Sequence, residues 1–159
     1  MSTLERAIAI AAKAHEGQVD KAGASYVLHP LRMMLRLSKN DERITAVLHD
    51  VVEDCGVSLE MLRAEGFSEQ VIEAIDSVTR RSEGSYEAFV LRAASNPIGR
   101  RVKLVDLQDN SDLSRIAHPT DRDYERIEKY RHAIDRIREL EESIDAQQPL
   151  AGHVESDGT

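Results

Sequence analysis

A short stretch between Ile44 and Asp54 places four ionisable side chains in an otherwise apolar segment, and it constrains the fold more than any other part of the chain. Its apolar residues recur at spacings of three and four, which predicts an α-helix with one buried face (Ile44, Leu48, Val51 and Val52). Asp41 is placed to cap the start of this helix, and Gly56 can end it in a left-handed conformation. The stretch therefore predicts a helix that is buried on one side and yet carries three acids and an imidazole.

The ionisable groups of this stretch are His49, Asp50, Glu53 and Asp54. His49 and Asp50 are adjacent and lie about 100° apart around a helix axis, so that one ion between them could touch both. Glu53 lies one turn further along, and Asp54 is four residues beyond Asp50. Charged groups in an apolar helix lower stability unless something compensates them. A divalent cation is the simplest compensator.

The composition is that of one globular domain and excludes several classes of partner. The chain has 159 residues, of which 31% are charged and 41% hydrophobic. Its 29 acidic and 21 basic residues give a net charge of −8, which argues against nucleic-acid and anionic-membrane partners. The single Cys fits a reducing compartment, and neither a secretory pattern nor an apolar run of roughly 20 residues is present. We therefore expect a cytoplasmic protein with no membrane and no nucleic-acid partner.

Helical periodicity continues along the chain, and no stretch alternates convincingly over the length of a β-strand. Pro30 suits the first turn of a second helix, Pro97 starts a later one, and Thr120 or Asp121 caps a long last helix that reaches about Ile144. We therefore expect an all-α fold, a single compact bundle of about seven helices joined by short loops. The domain is expected to span residues 1–145, with residues 146–159 as a disordered acidic tail.

Two more segments carry candidate metal ligands. His29 directly precedes Pro30, and Asp106 lies in an apolar helical segment with Asn110 four residues later. A centre built from His29, His49, Asp50 and Asp106 would offer two imidazoles and two carboxylates. This mixture suits a borderline divalent ion such as Mn, Fe, Co, Ni or Zn, and it is too rich in nitrogen for a preferred Ca or Mg site. The absence of thiolate pairs argues against a structural zinc site.

Four motifs follow one another within residues 4–140: His15-x-Gly17-Gln18, Lys21-x-Gly23-x-x-Tyr26-x-x-His29-Pro30, His49-Asp50-Val-Val-Glu53-Asp54 and Lys103-Leu-x-Asp106-x-x-x-Asn110. With these motifs the chain resembles the HD-domain metal-dependent phosphohydrolases, specifically the branch that removes the 3′-pyrophosphate of guanosine tetra- and pentaphosphate, the alarmones of the stringent response. An HD dipeptide alone is weak evidence, whereas the ordered set is specific to the family. The chain leaves no room for the synthetase and regulatory domains of the long members, so it resembles a small stand-alone hydrolase.

The resemblance implies a role for each matching residue. It implies that the metal, usually Mn²⁺, has four protein ligands (His29, His49, Asp50 and Asp106). It implies that Glu53 and Asp54 orient or deprotonate the attacking water, and that Lys21 and Asn110 contact the nucleotide. The implied reaction is hydrolysis of the 3′-diphosphate by a metal-activated water.

The chain departs from the family at two places near the implied site. Asp20-Lys21 stands where the long members carry Arg-Lys, whose arginine stacks on guanine; Asp20 cannot stack, and its charge would repel phosphates. The segment from Asp106 to Asn110 lacks the basic residue and the histidine of the family's Asp-Arg-Leu-His-Asn. These changes leave the metal ligands intact and leave two alternatives open. One is the same chemistry on another phosphorylated nucleotide or dinucleotide, and the other is a catalytically silent nucleotide-binding domain.

Several of these residues also have a purely structural interpretation. Asp106 could pair with Lys103 or Arg101 on a solvated face of its helix. Lys21, on a loop, could simply be solvated, and Asn110 could serve in polar packing. The first of these interpretations predicts that Asp106 is exposed.

Overall fold

The helical periodicity is realised as nine α-helical segments among residues 1–148, which are the residues that this computed structural model describes. They are α1 (Leu4–Ala14), α2 (Leu28–Leu35), α3 (Asn40–Leu48), α4 (Val51–Asp54), α5 (Leu59–Ala64), α6 (Glu69–Val78), α7 (Tyr86–Ser95), α8 (Pro97–Asn110) and α9 (Asp121–Gln147). A short 3₁₀ turn, Leu113–Arg115, lies between α8 and α9. No β-strand forms within residues 1–148, so the predicted all-α class is confirmed.

The last helix extends to Gln147, two residues past the predicted domain boundary at residue 145. The predicted tail covers residues 146–159, and its residues 149–159 lie outside the described part of the chain. Thr120 caps α9 as expected, in a reciprocal capping box with Asp123. Each helix within residues 1–148 is too short or too polar to span a lipid bilayer.

The helix predicted from the opening stretch is broken in two at His49 and Asp50. Asp50 has φ −102° and ψ −6°, in the sparsely populated bridge region that active-site residues often occupy. This break contributes to the difference between nine segments and the predicted seven. The N-cap of α3 is Lys39, not Asp41 as predicted, because the helix starts two residues earlier. Asp41 lies in its first turn, where an acid interacts favourably with the helix dipole. Gly56 adopts the predicted left-handed conformation, with φ +69°.

Helix α3 is the centre of the bundle, packed against α1, α2, α6 and α8. Val47 and Leu48 at its C-terminal end are fully buried. They belong to a cluster of buried apolar side chains from α1, α3, α4, α5, α6 and the loop between α5 and α6 (Ala7, Ala11, Ile44, Val47, Leu48, Val51, Leu62, Phe67, Val71, Ile72 and Ile75). Because α3 is enclosed by other helices, the residues that immediately follow Leu48 are held in a fixed position.

Helix α8 lies beside α3 and brings a second set of polar groups towards the α3–α4 break. Its start is fixed by Asn96, whose side chain accepts a hydrogen bond from the Gly99 amide at 2.8 Å, and by Pro97 in the first turn. Val102 and Val105 pack into a second apolar cluster with Met33 of α2 and Ala46 of α3. This packing buries the face of α8 that carries Asp106.

Gly99 lets α8 approach α6 and α7 closely, and we expect Gly99→Ala to destabilise the protein. A Cβ at this position would lie 2.1 Å from Ser77 Oγ and 3.0 Å from the Ala93 carbonyl oxygen. Glycine to alanine inside a helix usually stabilises by up to about 1 kcal/mol, but overpacking of this kind lowers stability by about 1–3 kcal/mol. Urea denaturation measures the loss in the free energy of unfolding, and adding Ser77→Ala to the variant should restore part of the lost stability. A Gly99→Ala protein at least as stable as wild type would contradict this packing.

Candidate metal centre and adjoining cavity

Three helical elements bring the four predicted ligands together at the centre of the bundle. His29 lies in the first turn of α2, His49 and Asp50 form the break between α3 and α4, and Asp106 lies in α8. All four are buried, with only 3–9% of each residue exposed. A buried Asp106 excludes the interpretation in which it pairs with a base on a solvated face.

The coordinating atoms of these residues point at one another. His49 Nε2 lies 2.9 Å from Asp50 Oδ2 and 3.7 Å from Asp106 Oδ1, and His29 Nε2 lies 3.1 Å from Asp106 Oδ1. The ligand atoms of His29, His49 and Asp50 all lie within 4.8 Å of one another. Two imidazole nitrogens and the Asp50 carboxylate therefore share one convergence point, and Asp106 Oδ1 lies beside both nitrogens.

Both imidazoles are held through Nδ1, which leaves Nε2 directed towards the convergence point. His49 Nδ1 lies 2.8 Å from the Ala46 carbonyl oxygen, which can only accept a hydrogen bond, so this nitrogen carries a proton. His29 Nδ1 lies 2.6 Å from Asp109 Oδ2. In the neutral ring, protonation at Nδ1 leaves the Nε2 lone pair available as a ligand.

The residues present fit a divalent cation. His49 Nε2 is buried and makes no hydrogen bond within residues 1–148, although Asp50 Oδ2 is only 2.9 Å away. A buried nitrogen lone pair facing two carboxylates needs a positive charge between them. Mixed nitrogen and oxygen donors at this spacing suit a borderline divalent ion.

The two acids of the centre also determine how much positive charge it must hold. Burial disfavours a charged imidazole at His49, but the negative charges of Asp50 and Asp106 outweigh it and raise the pKa of His49 well above its usual value. Burial likewise opposes ionisation of Asp106, yet Lys103 and the two histidines hold its pKa well below the usual range. The two acids therefore require positive charge, which either protons on the imidazoles or a bound cation can supply.

Three neighbouring groups fix the orientation of the carboxylates. Lys103 Nζ donates to Asp106 Oδ2 at 2.9 Å, and Asn110 Nδ2 donates to Asp106 Oδ1 at 2.8 Å. The Tyr26 hydroxyl donates to Asp50 Oδ2. Such partners restrict the rotation of ligand side chains. The Asn110 contact corresponds to the polar-packing interpretation, although Asn110 also lines the adjoining cavity.

Glu53 and Asp54 lie in α4 directly after the break and are exposed to solvent. Burial of the carboxyl group, followed by the nearby charges of Asp50 and Asp54, raises the pKa of Glu53. Burial and the charge of Asp50 raise the pKa of Asp54. The break therefore places two solvent-accessible acids next to the buried ligands, and their catalytic role stays a prediction.

A cavity of about 290 Å³ adjoins this centre and contains both predicted substrate contacts, Lys21 and Asn110. Its lining also includes Asp20 and Tyr26, and residues that follow α8 or belong to α9 (Asp112, Arg115, Ile116, Arg126 and Tyr130). Lys21 makes no hydrogen bond or ion pair with any residue of the described range 1–148. Lys21 and Asn110 thus face one space, and their contact with a substrate stays a prediction.

Asp20 is held within its loop. Its Oδ1 accepts hydrogen bonds from the backbone amides of Ala22 at 2.9 Å and Ala24 at 3.0 Å. This arrangement is an Asx-type turn that fixes the conformation of the loop next to Lys21. Asp20 therefore has a structural role in this chain besides lining the cavity.

The sequence analysis assigned no part in the centre to Arg32 or Asp109, and it named Lys103 only within a family motif and as a surface partner for Asp106. Lys103 and Asp109 lie three residues before and after Asp106, so helical spacing places them on its face and could have revealed them. Arg126 and Tyr130 reach the cavity from α9, far along the chain, and no local pattern predicts that approach.

The all-α bundle and its cluster of imidazoles and carboxylates place this protein in a general class, that of helical domains with a candidate metal centre. Residues 7–140 match the family described as "HD domain". The chain belongs to this HD-domain family, as its ordered motifs predicted.

Curated relatives are similar to the chain over part of their length. A guanosine-3′,5′-bis(diphosphate) 3′-pyrophosphohydrolase of Aquifex aeolicus is 32% identical over 119 residues, which are 67% of this chain and 17% of that protein. A protein of the same name from Vibrio cholerae is 32% identical over 123 residues, 70% of this chain and 17% of that protein. A GTP pyrophosphokinase of Myxococcus xanthus is 36% identical over 92 residues, 55% of this chain and 12% of that protein. The chain thus spans less than a fifth of the length of these relatives.

A solved structure reported under the words "A metazoan ortholog of SpoT hydrolyzes ppGpp and plays a role in starvation responses" has a similar fold. It superposes with a TM-score of 0.64 at 19% identity and covers 87% of this chain and 94% of the other. At this identity the comparison shows that the fold is shared.

Proposed function

We propose that this protein is a metal-dependent phosphohydrolase that removes the 3′-pyrophosphate from guanosine tetra- and pentaphosphate. The observation that carries the proposal is the convergence of two imidazoles and two carboxylates beside a cavity bordered by basic side chains. The choice of substrate is supported by the Aquifex and Vibrio relatives, which are named guanosine-3′,5′-bis(diphosphate) 3′-pyrophosphohydrolases.

The proposed cofactor is Mn²⁺, held by His29, His49, Asp50 and Asp106. Two nitrogen and two oxygen donors suit this ion, and other divalent transition metals fit the same donor set. A divalent ion bound there supplies Lewis acidity, since it lowers the pKa of a coordinated water and polarises a phosphoryl oxygen.

The residues of the chain then carry out the proton transfer and the positioning. Glu53 or Asp54 takes a proton from the attacking water, which a carboxylate near the centre can do as a general base. The water oxygen forms the new bond to phosphorus while the bond from phosphorus to the ribose 3′-oxygen breaks. The 3′-oxygen gains a proton and pyrophosphate leaves.

The cavity offers contacts for the rest of the nucleotide. Lys21, Arg115 and Arg126 supply positive charge, and Tyr130 supplies an aromatic surface. Lys21 makes no ion pair within residues 1–148, so its ammonium is available to a phosphate. These contacts support a phosphorylated nucleotide as substrate, and such a substrate together with the single Cys favours a cytoplasmic location.

Another phosphorylated nucleotide or dinucleotide is the second candidate substrate. Asp20 supports it, because Asp20 lines the cavity and cannot stack on a base as an arginine would. A catalytically silent nucleotide-binding domain is a less favoured function, since a domain that only binds has no need of Glu53 and Asp54 beside the ligands.

An assay of the products that the purified protein releases from phosphorylated nucleotides tests the proposal. With one equivalent of Mn²⁺, the protein should release pyrophosphate from guanosine 3′,5′-bis(diphosphate) faster than it releases orthophosphate from nucleoside monophosphates or phosphorylated dinucleotides. Faster turnover of one of the other compounds would support the second candidate. Binding of the nucleotide without product from any compound would reject hydrolysis.

A further inference from the structure

Asp109 is the most deeply buried carboxylate near the centre, and it contacts a predicted ligand. The residue is fully buried in α8, one turn beyond Asp106. Its Oδ2 accepts a hydrogen bond from His29 Nδ1 at 2.6 Å. Asp109 therefore touches the side of His29 that faces away from the convergence point.

Arg32 holds this carboxylate in place from the same helix as His29. Its Nε lies 2.9 Å from Asp109 Oδ1 and its terminal nitrogen lies 2.9 Å from Asp109 Oδ2, which is a bidentate ion pair. Arg115 adds a hydrogen bond to the Asp109 backbone carbonyl at 3.1 Å. The carboxylate is thus neutralised and prevented from rotating, and its hydrogen bond to His29 has one geometry.

The two imidazoles are oriented by different means. His49 donates through Nδ1 to the backbone carbonyl of Ala46, which no side-chain substitution removes. His29 has only the Asp109 side chain at the same nitrogen. The orientation of one imidazole is therefore set by the backbone of α3, and that of the other by a side-chain pair joining α2 to α8.

We propose that Asp109, clamped by Arg32, is the positioning residue that holds His29 in the tautomer and ring orientation that present Nε2 to the metal. This inference rests on the proposed function, because it assumes that a metal occupies the centre. A hydrogen bond from Nδ1 to a carboxylate fixes the tautomer of an imidazole and increases the basicity of its other nitrogen.

Titration of the metal-free protein with Mn²⁺ tests the inference without any substrate. Asp109→Asn keeps the size of the side chain but replaces a charged acceptor by a neutral amide, whose NH₂ group must face either Arg32 or His29. Loss of such a carboxylate lowers metal affinity by about 10- to 100-fold, and we expect that range. Asp76→Asn removes the same charge from a surface pair with Arg81 and should leave the affinity unchanged.

A double variant separates positioning from folding. Asp109→Asn leaves the Arg32 guanidinium facing a neutral amide, which should lower the thermal midpoint of the metal-free protein. In Asp109→Asn/Arg32→Gln only Arg115, 3.5 Å from the Asp109 Oδ2 position, still faces that amide, so the thermal midpoint should recover in part while Mn²⁺ affinity stays low. Affinity equal to wild type in both variants would overturn the inference while leaving the proposed function intact. A wild-type protein that binds no Mn²⁺ would overturn the proposed function, and the inference with it.

Discussion

Asp50→Ala is expected to reduce hydrolysis of the 3′-diphosphate about a thousand-fold or more. Asp50 supplies one of two carboxylates at the convergence point, 2.9 Å from His49 Nε2. A bound metal contributes several kcal/mol to the stabilisation of a transition state, and about 4 kcal/mol corresponds to a thousand-fold in rate. Pyrophosphate release under saturating substrate measures the loss.

Two controls make this result specific to the centre. Asp76→Ala removes a surface carboxylate and should retain the wild-type rate. Circular dichroism should show that Asp50→Ala remains helical, so that the lost rate is not lost folding. A folded Asp50→Ala protein within ten-fold of the wild-type rate would remove Asp50 from the set of required ligands.

The double variant Glu53→Gln/Asp54→Asn should lose hydrolysis by a different route. A general base contributes about 10²- to 10⁴-fold to a rate, and amides at both positions leave no carboxylate in α4 to accept the proton. Both residues are exposed, so we expect little change in stability. Single-turnover rates with Mn²⁺ bound measure the chemical step.

Metal binding distinguishes this variant from Asp50→Ala. Because Glu53 and Asp54 lie outside the convergence point, the double variant should retain Mn²⁺ with an affinity close to that of wild type, whereas Asp50→Ala should lose it. A double variant that hydrolyses at the wild-type rate would show that another group accepts the proton.

The sequence was sufficient for the fold class and for four of the side chains that meet at the centre. Spacing of apolar residues predicted the helices, because burial of one face imposes a period of 3.6 residues. The family motifs indicated His29 and Asp106 as partners of the His49-Asp50 pair, and the fold brings these four side chains together.

Local patterns could not predict what depends on tertiary contacts. The break at Asp50 is one example, since the apolar spacing continues from Leu48 to Val51 without a proline or glycine to end the helix. The bidentate pair of Arg32 with Asp109 is another, because its partners are 77 residues apart. The tight turn that Asp20 forms with the backbone amides of Ala22 and Ala24 is a third example, because neither its charge nor its inability to stack indicates it.

Pulsed electron paramagnetic resonance of the protein loaded with one equivalent of Mn²⁺ tests the central claim most directly. If two imidazoles and two carboxylates bind one ion, the spectrum should show coupling to two histidine nitrogens, and His29→Asn should reduce this to one. Mn²⁺ bound without any coupling to histidine nitrogen would contradict the account.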